Sequence, residues 1–128
     1  MKNKSINEIM ELVEKGNVDA IYELAIRKHY GYGMKKDYNE AFNLFKNAAE
    51  KGNINALYMK AYCYYNGLGT EQNYEKALEI FNNLIEKHND KNSKYMIAYS
   101  LYNGYGMKKN YAEAFKIFKE LSDGGDMD

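Results

Sequence analysis

The stretch YGYGMKKDYNEAF, residues 30–42, carries the residue types of an anion-binding turn. Two glycines flank Tyr32, and Lys35 and Lys36 follow them. Backbone amides of a glycine-rich turn and a lysine ammonium are the groups that hold phosphate in a P-loop. The alternative is a structural joint, in which glycine adopts a positive φ where a helix ends.

Recurrence of this turn favours the structural joint. A phosphate loop needs a longer glycine-rich arc after a buried strand, with its lysine adjoining the glycine. Here the apolar residues before the turn have helical spacing. The turn also recurs at 66–73 as NGLGTEQN, which keeps both glycines and lacks the lysines. We therefore interpret the glycines as supplying positive φ at a helix end and in the turn that follows it.

The other residues that commonly do chemistry are isolated. His29 and His88 belong to no Cys/His/Asp cluster with metal-ligand spacing. Cys63 has no evident base beside it, so we interpret it as a small packed apolar residue. Acids such as Glu75 and Glu79 have the spacing of a solvated helix surface. The sequence therefore predicts no enzyme, no metal and no cofactor.

The chain is built from an internal repeat. YGYGMKKDYNEAFNLF at 30–45 aligns with NGLGTEQNYEKALEIF at 66–81 and NGYGMKKNYAEAFKIF at 103–118. EKGNVDA at 14–20 likewise aligns with EKGNINA at 50–56. The alignment predicts one domain made of a half repeat, three full repeats and a stub, at 1–15, 16–51, 52–87, 88–124 and 125–128.

Each repeat is predicted to form two helices. Apolar residues recur at spacings of three and four in both halves, and Asp37, Asn73 and Asn110 stand where an N-cap would precede the second helix. One helix pair cannot bury its apolar stripe alone, so neighbouring pairs must stack. The expected fold is an all-α, right-handed α-solenoid with seven helices, at roughly 4–15, 18–30, 38–50, 54–66, 74–87, 92–103 and 111–122.

In the residues that recur at equivalent positions of the three repeats, the sequence resembles the Sel-1-like repeats, relatives of the tetratricopeptide repeats. The family pattern is a small residue in the first helix, a G-x-G turn, an Asp or Asn, and then Ala and an aromatic residue in the second helix. The matching residues besides the G-x-G pairs are Ala25, Ala61 and Ala98; Asp37, Asn73 and Asn110; Ala41, Ala77 and Ala114; Phe45, Phe81 and Phe118. Three copies in register cover nearly the whole chain.

The resemblance implies a scaffold that binds other proteins, although the sequence departs from the pattern in places. Lys60 stands in a column of apolar residues, and the small column holds alanine where glycine is usual. Some secreted members carry paired cysteines and were linked to β-lactams. Cys63 stands alone here, so that role does not carry over.

The composition restricts the class of partner and the cellular compartment that we expect. The chain has 18 acidic and 18 basic residues, and this zero net charge argues against nonspecific nucleic-acid binding. It has no run of 18 apolar residues, so no membrane span is expected. The first residues lack the apolar centre of a signal peptide. With the single cysteine, these features predict a reducing, cytoplasmic setting.

The 14 tyrosines suggest a binding surface. By analogy with tetratricopeptide repeats, the first helix of each pair lines a concave groove. The predicted partner-binding residues are Tyr22, Ile26, His29, Tyr30, Tyr58, Tyr62, Tyr65, Asn66, Tyr95, Tyr99, Tyr102 and Asn103. The competing interpretation is that these tyrosines only complete the packing between helices. Stacked columns favour the groove, because tyrosine is enriched in binding hot spots.

The leading hypothesis is an adaptor that binds a peptide or protein surface in this groove. The alternatives are an inhibitor or immunity protein that blocks one toxin or enzyme, and, less favoured, an RNA-binding helical repeat. Apolar Phe115 and Leu121 on the last helix predict an uncapped end. We expect that end to continue into a longer array, or to be covered by a partner or a second copy of the chain.

Overall fold

All regular secondary structure in the computed structural model, which describes residues 1–124, is α-helical. The predicted all-α helical-repeat fold with seven helices is confirmed over this range. The predicted stub at 125–128 lies outside the described residues. The helices are α1 (Ile6–Glu14), α2 (Val18–Tyr30), α3 (Tyr38–Glu50), α4 (Ile54–Asn66), α5 (Tyr74–His88), α6 (Lys91–Asn103) and α7 (Tyr111–Asp123).

The chain divides into two compact units. Residues 1–73 hold α1 to α4, and the second unit begins at Tyr74 and holds α5 to α7. We call α2, α4 and α6 the first helices, and α1, α3, α5 and α7 the second helices. No helix in the described range is both long and apolar enough to span a membrane.

Side-chain caps explain where most of the helices begin. The predicted caps Asp37 and Asn110 accept hydrogen bonds from the backbone N–H three residues on, at 3.1 and 3.0 Å. The first helices are capped in the same way by Asn17, Asn53 and Asp90. Such caps satisfy backbone donors that have no partner inside the helix.

Helix α1 starts later than predicted because a capping box sets its first turn. The Ser5 hydroxyl accepts from the backbone N–H of Glu8, and the Glu8 carboxylate accepts from the backbone N–H of Ser5. This reciprocal pair places the N-terminus of α1 at Ile6. Residues 1–5 form turns beside α2, and this difference from the predicted start at residue 4 shapes the surface described below.

The G-x-G stretch is a joint between helices, as the repeats predict. Gly31 ends α2 in the left-handed conformation, with φ 74°, and its N–H donates to the Arg27 carbonyl. The N–H of Asp37 then donates to the carbonyl of Lys28 at 2.8 Å, which ties the start of α3 to the last turn of α2. The same closure recurs in both later repeats, from Asn73 to Tyr64 and from Asn110 to Leu101.

Small and aromatic residues form the core of the first unit. The cluster of buried residues comprises Ile21, Ala25, Ala41, Phe42, Phe45, Ala48, Ala56, Met59 and Cys63. Its alanines have no exposed surface, which lets the helices approach closely. In the second unit the corresponding columns supply fully buried Ala77, Phe81, Ala98 and Ala114.

Candidate functional site

The predicted site residues of the first unit lie on α2 and α4 and are partly built into the core. Tyr22, Ile26, Tyr58 and Tyr62 are half-buried and pack against the core cluster. Tyr58 and Tyr62 stack with ring centroids 6.5 Å apart, as expected for positions one helical turn apart. These four residues form what we call the α2–α4 face. One edge of each of these side chains is exposed to solvent, and the rest of the side chain packs against the core cluster.

His29 lies beneath this face instead of on it. It is 3% exposed, and four aromatic rings contact it edge-on with centroids 4.6 to 6.4 Å away, those of Tyr30, Tyr38, Phe45 and Tyr62. Its Nδ1 has no hydrogen-bond partner. Burial and the nearby Lys36 ammonium lower the pKa of His29, which favours the neutral imidazole. His29 therefore supports the tyrosines around it from within.

The next columns also separate into buried and exposed members. Tyr65, which aligns with His29, is buried as well. Tyr30 is exposed, and burial together with neighbouring phenols raises the pKa of its hydroxyl. Asn66 is exposed, and its Nδ2 donates to the Tyr62 carbonyl at 3.2 Å. That hydrogen bond orients the Asn66 side-chain amide against the last turn of α4.

In the second unit the predicted tyrosines are more exposed. Tyr95, Tyr99 and Tyr102 on α6 form what we call the α6 face, with 41%, 40% and 47% of their surface exposed. Tyr95 and Tyr99 stack at 6.3 Å with their planes 19° apart. Asn103 Nδ2 donates to the Tyr99 carbonyl at 2.9 Å, as its counterpart does in α4. This face presents adjacent flat rings with phenol groups at their edges.

Two tyrosines that the groove prediction omitted extend these faces. Tyr32 and Tyr105 occupy the middle position of the first and third G-x-G turns, and both are exposed. Tyr32 stacks on Tyr30 at 5.2 Å, and Tyr105 lies 6.0 Å from Tyr99. The signal was available in the repeats, since this position is aromatic in two of the three turns.

The remaining polar and reactive groups point to structural roles. Lys28 forms an ion pair with Glu40 at 2.6 Å, which joins α2 to α3. Cys63 is fully buried, and burial raises the pKa of its thiol to about 12, so the reactive thiolate is strongly disfavoured. Within residues 1–124, no group of three or more His, Cys, Asp and Glu side chains could hold a metal ion.

Comparison with known proteins agrees with the internal repeats. The family model described as Sel1 repeat matches residues 18–53, 54–87 and 92–126. Among curated protein sequences, none matches this chain.

Two crystal structures share the arrangement. The Sel1 repeat protein from Oxalobacter formigenes has 27% sequence identity and a TM-score of 0.73 over 92% of this chain. The protein c5321, a protective antigen present in uropathogenic Escherichia coli strains and displaying an SLR fold, has 28% identity and a TM-score of 0.80 over 96% of this chain. The matched regions cover 48% and 26% of those two chains, so the present chain spans about half and about a quarter of their lengths.

Proposed function

This chain belongs to the Sel1 repeat family, and we propose that it is a non-enzymatic module that binds a peptide or protein surface through the tyrosines of its first helices. Sel1 repeat proteins generally mediate protein–protein interactions. The finer proposal concerns which residues of this chain make the contact. We assign the contact to the α6 face of the second unit, whose three tyrosines are exposed.

The observation that carries the proposal is the exposure of the stacked pair Tyr95 and Tyr99. Two large rings, 41% and 40% exposed, lie one helical turn apart and hold each other in a stacked geometry. A preorganised aromatic pair loses little conformational entropy when a partner covers it, and each tyrosine offers roughly 150–250 Å² of contact area. Exposed aromatic surface of this kind is a feature of interaction sites.

Polar groups on the α6 face can orient a bound partner through hydrogen bonds. The phenol hydroxyls donate and accept hydrogen bonds, and the amide of Asn103, held by the Tyr99 carbonyl, has an oxygen left to accept one. An apolar centre with a few oriented polar groups at its rim is the usual composition of a protein interface. The α6 face therefore suits a protein surface with both apolar and hydrogen-bonding groups.

The test is the affinity of the native partner, isolated by pull-down, for the double variant Tyr95→Ala, Tyr99→Ala. We expect the dissociation constant to rise by tenfold or more, because hot-spot aromatic residues each contribute about 2 kcal/mol or more when truncated. Isothermal titration calorimetry measures the affinity. Circular dichroism checks that the variant keeps its helices.

A matched control uses the second helix of the same repeat. The variant Phe115→Ala, Lys116→Ala also removes two exposed side chains, on α7. We expect its affinity to stay within about twofold of the wild type. If the α7 variant loses binding and the α6 variant keeps it, the contact lies on α7 and the proposal is wrong.

A further inference from the structure

A cavity of about 450 Å³ lies in the first unit between the N-terminal segment, α2 and the first G-x-G turn. It opens to solvent and is lined by Lys2, Lys4, Glu23, Ile26, Arg27 and Tyr32. It shares only Ile26 with the predicted partner-binding residues. The cavity thus borders the α2–α4 face through Ile26 and Tyr32, while Lys2, Lys4, Glu23 and Arg27 lie outside the tyrosine faces.

Arg27 fixes the wall that the N-terminal segment forms. Its Nη2 donates to the backbone carbonyls of Met1, Lys2 and Lys4, at 3.2, 3.3 and 2.7 Å. Its Nε pairs with Glu23 at 2.9 Å, and both side chains are nearly buried. The Arg27 and Glu23 charges thus offset each other, and the guanidinium holds residues 1–4 against α2.

The rim of the cavity keeps a positive charge. The ammonium groups of Lys2 and Lys4 form no ion pair among the described residues. Their main chain is anchored through Arg27, so the two side chains remain at the cavity. Ile26 and the exposed ring of Tyr32 supply apolar wall. The combination is an apolar cleft with two lysine ammonium groups at its edge, of which that of Lys4 also interacts with the Glu8 carboxylate.

The next repeat shows that the corresponding position there is occupied by the chain itself. In the repeat alignment Lys2 corresponds to Tyr38, and Gly33 corresponds to Gly69. A Cβ atom at Gly69 would overlap the backbone carbonyl of Tyr38, because the first turn of α3 packs directly on that glycine. A Cβ atom at Gly33 would meet nothing within 4 Å. The space that the backbone of the first turn of α3 occupies beside Gly69 is open beside Gly33.

We propose that this cavity binds an acidic segment of a partner protein, with an aromatic side chain inserted beside Ile26 and Tyr32 and carboxylates against Lys2 and Lys4. The aromatic side chain packs on the apolar wall that Ile26 and Tyr32 form, in space that the backbone of α3 fills in the next repeat. The carboxylates complement the two cations at the rim. Association is then strengthened by low salt, since exposed charge pairs are screened.

The test is a titration of ¹⁵N-labelled protein with the peptide acetyl-Glu-Glu-Phe-Glu-Glu-amide, followed by amide chemical shifts. We expect shifts centred on Ile26, Tyr32 and Gly33. Replacing the four glutamates by glutamine, or the phenylalanine by alanine, is expected to weaken binding by at least fivefold. The variant Lys2→Glu, Lys4→Glu is expected to weaken it by at least tenfold.

A matched variant controls for net charge. Lys108→Glu, Lys109→Glu makes the same change on the third repeat's turn, and we expect its affinity to stay within twofold. Absence of binding at millimolar peptide, shifts centred elsewhere, equal affinity for the glutamine peptide, or equal loss in both lysine variants would each overturn the inference. None of these results affects the test of Tyr95 and Tyr99, which do not line the cavity.

Discussion

At the scale of single residues, His29 differs most from what its type suggests. The sequence predicts His29 as a partner-binding residue. In the structure four aromatic rings surround it, and its Nδ1 has no hydrogen-bond partner. The sequence could not reveal this burial. Helical spacing places both His29 and its neighbour Tyr30 on the tyrosine side of α2, yet Tyr30 is exposed.

Replacing His29 by phenylalanine should stabilise the protein. The variant His29→Phe keeps an aromatic ring in the cage and removes a buried polar atom without a partner, a defect that costs about 1–3 kcal/mol. We expect the free energy of unfolding at pH 7.5 to rise by about that amount, measured by urea denaturation. An unchanged or lower stability would show that the imidazole is satisfied in the folded state.

The same variant should also change the pH dependence of stability. The pKa of His29 is lowered in the folded protein relative to its ordinary value of 6.5. As pH falls below about 6.5, the imidazole takes up a proton more readily in the unfolded chain than in the folded one. The free energy of unfolding is therefore highest above that pH and decreases below it. Between pH 7.5 and 5.5, wild-type stability should fall more steeply than that of His29→Phe. Parallel curves would contradict the assigned burial.

At the scale of the elements, the glycine turns are the most predictable feature of the chain. The caps and the left-handed helix ends follow from Asn, Asp and Gly at fixed repeat positions, which is why the bounds of α2 to α7 agree with the sequence prediction within one residue. The exception is α1, where the local pair Ser5 and Glu8 sets the start. What each repeated glycine contacts depends on neighbouring helices and needed the structure.

Two glycines separate the cost of backbone conformation from the cost of close packing. Gly33 and Gly69 both have positive φ, at 70° and 77°, but only Gly69 lies against another backbone. Gly33→Ala should cost about 1–2 kcal/mol for the left-handed conformation alone. Gly69→Ala should cost a further 1–3 kcal/mol, roughly the usual cost of overpacking. Urea denaturation measures both, and equal costs would contradict the close approach to Tyr38.

Position in the array also decides the burial of one aromatic column. Phe42 is 7% exposed and lies 5.3 Å from the Tyr64 ring of α4, whereas Phe115 is 66% exposed. Sequence alone makes the two positions equivalent. The difference arises because a following first helix covers Phe42, and no described helix follows α7.

These two positions make a matched pair for stability measurements. Phe42→Ala should lower the free energy of unfolding by about 3–5 kcal/mol, since it leaves a cavity in the core. Phe115→Ala should change it by less than about 0.5 kcal/mol, as for other exposed positions. A large loss for Phe115→Ala would mean that its ring is covered in solution, as the predicted self-association or a further repeat would require.

At the scale of the whole molecule, the residues that recur in every repeat explain the fold, and the positions that differ between repeats determine which partner is bound. Recurring alanine and aromatic columns predicted the all-α helical repeat because each helix pair needs a neighbour to bury its stripe. Binding specificity lies where the repeats differ. Lys2 and Tyr38 occupy one column, as do Tyr32 and Leu68, and the aligned residues are not equivalent in exposure.

The most direct test of the central claim is site-specific photocrosslinking of the native complex. Benzoylphenylalanine at position 99 places the reactive group on the α6 face, and the same residue at position 116 places it on exposed surface of α7. We predict a crosslink to the partner from position 99 and none from position 116, with both variants helical by circular dichroism. A crosslink from position 116 alone would contradict the assignment of the first-helix tyrosines as the binding surface.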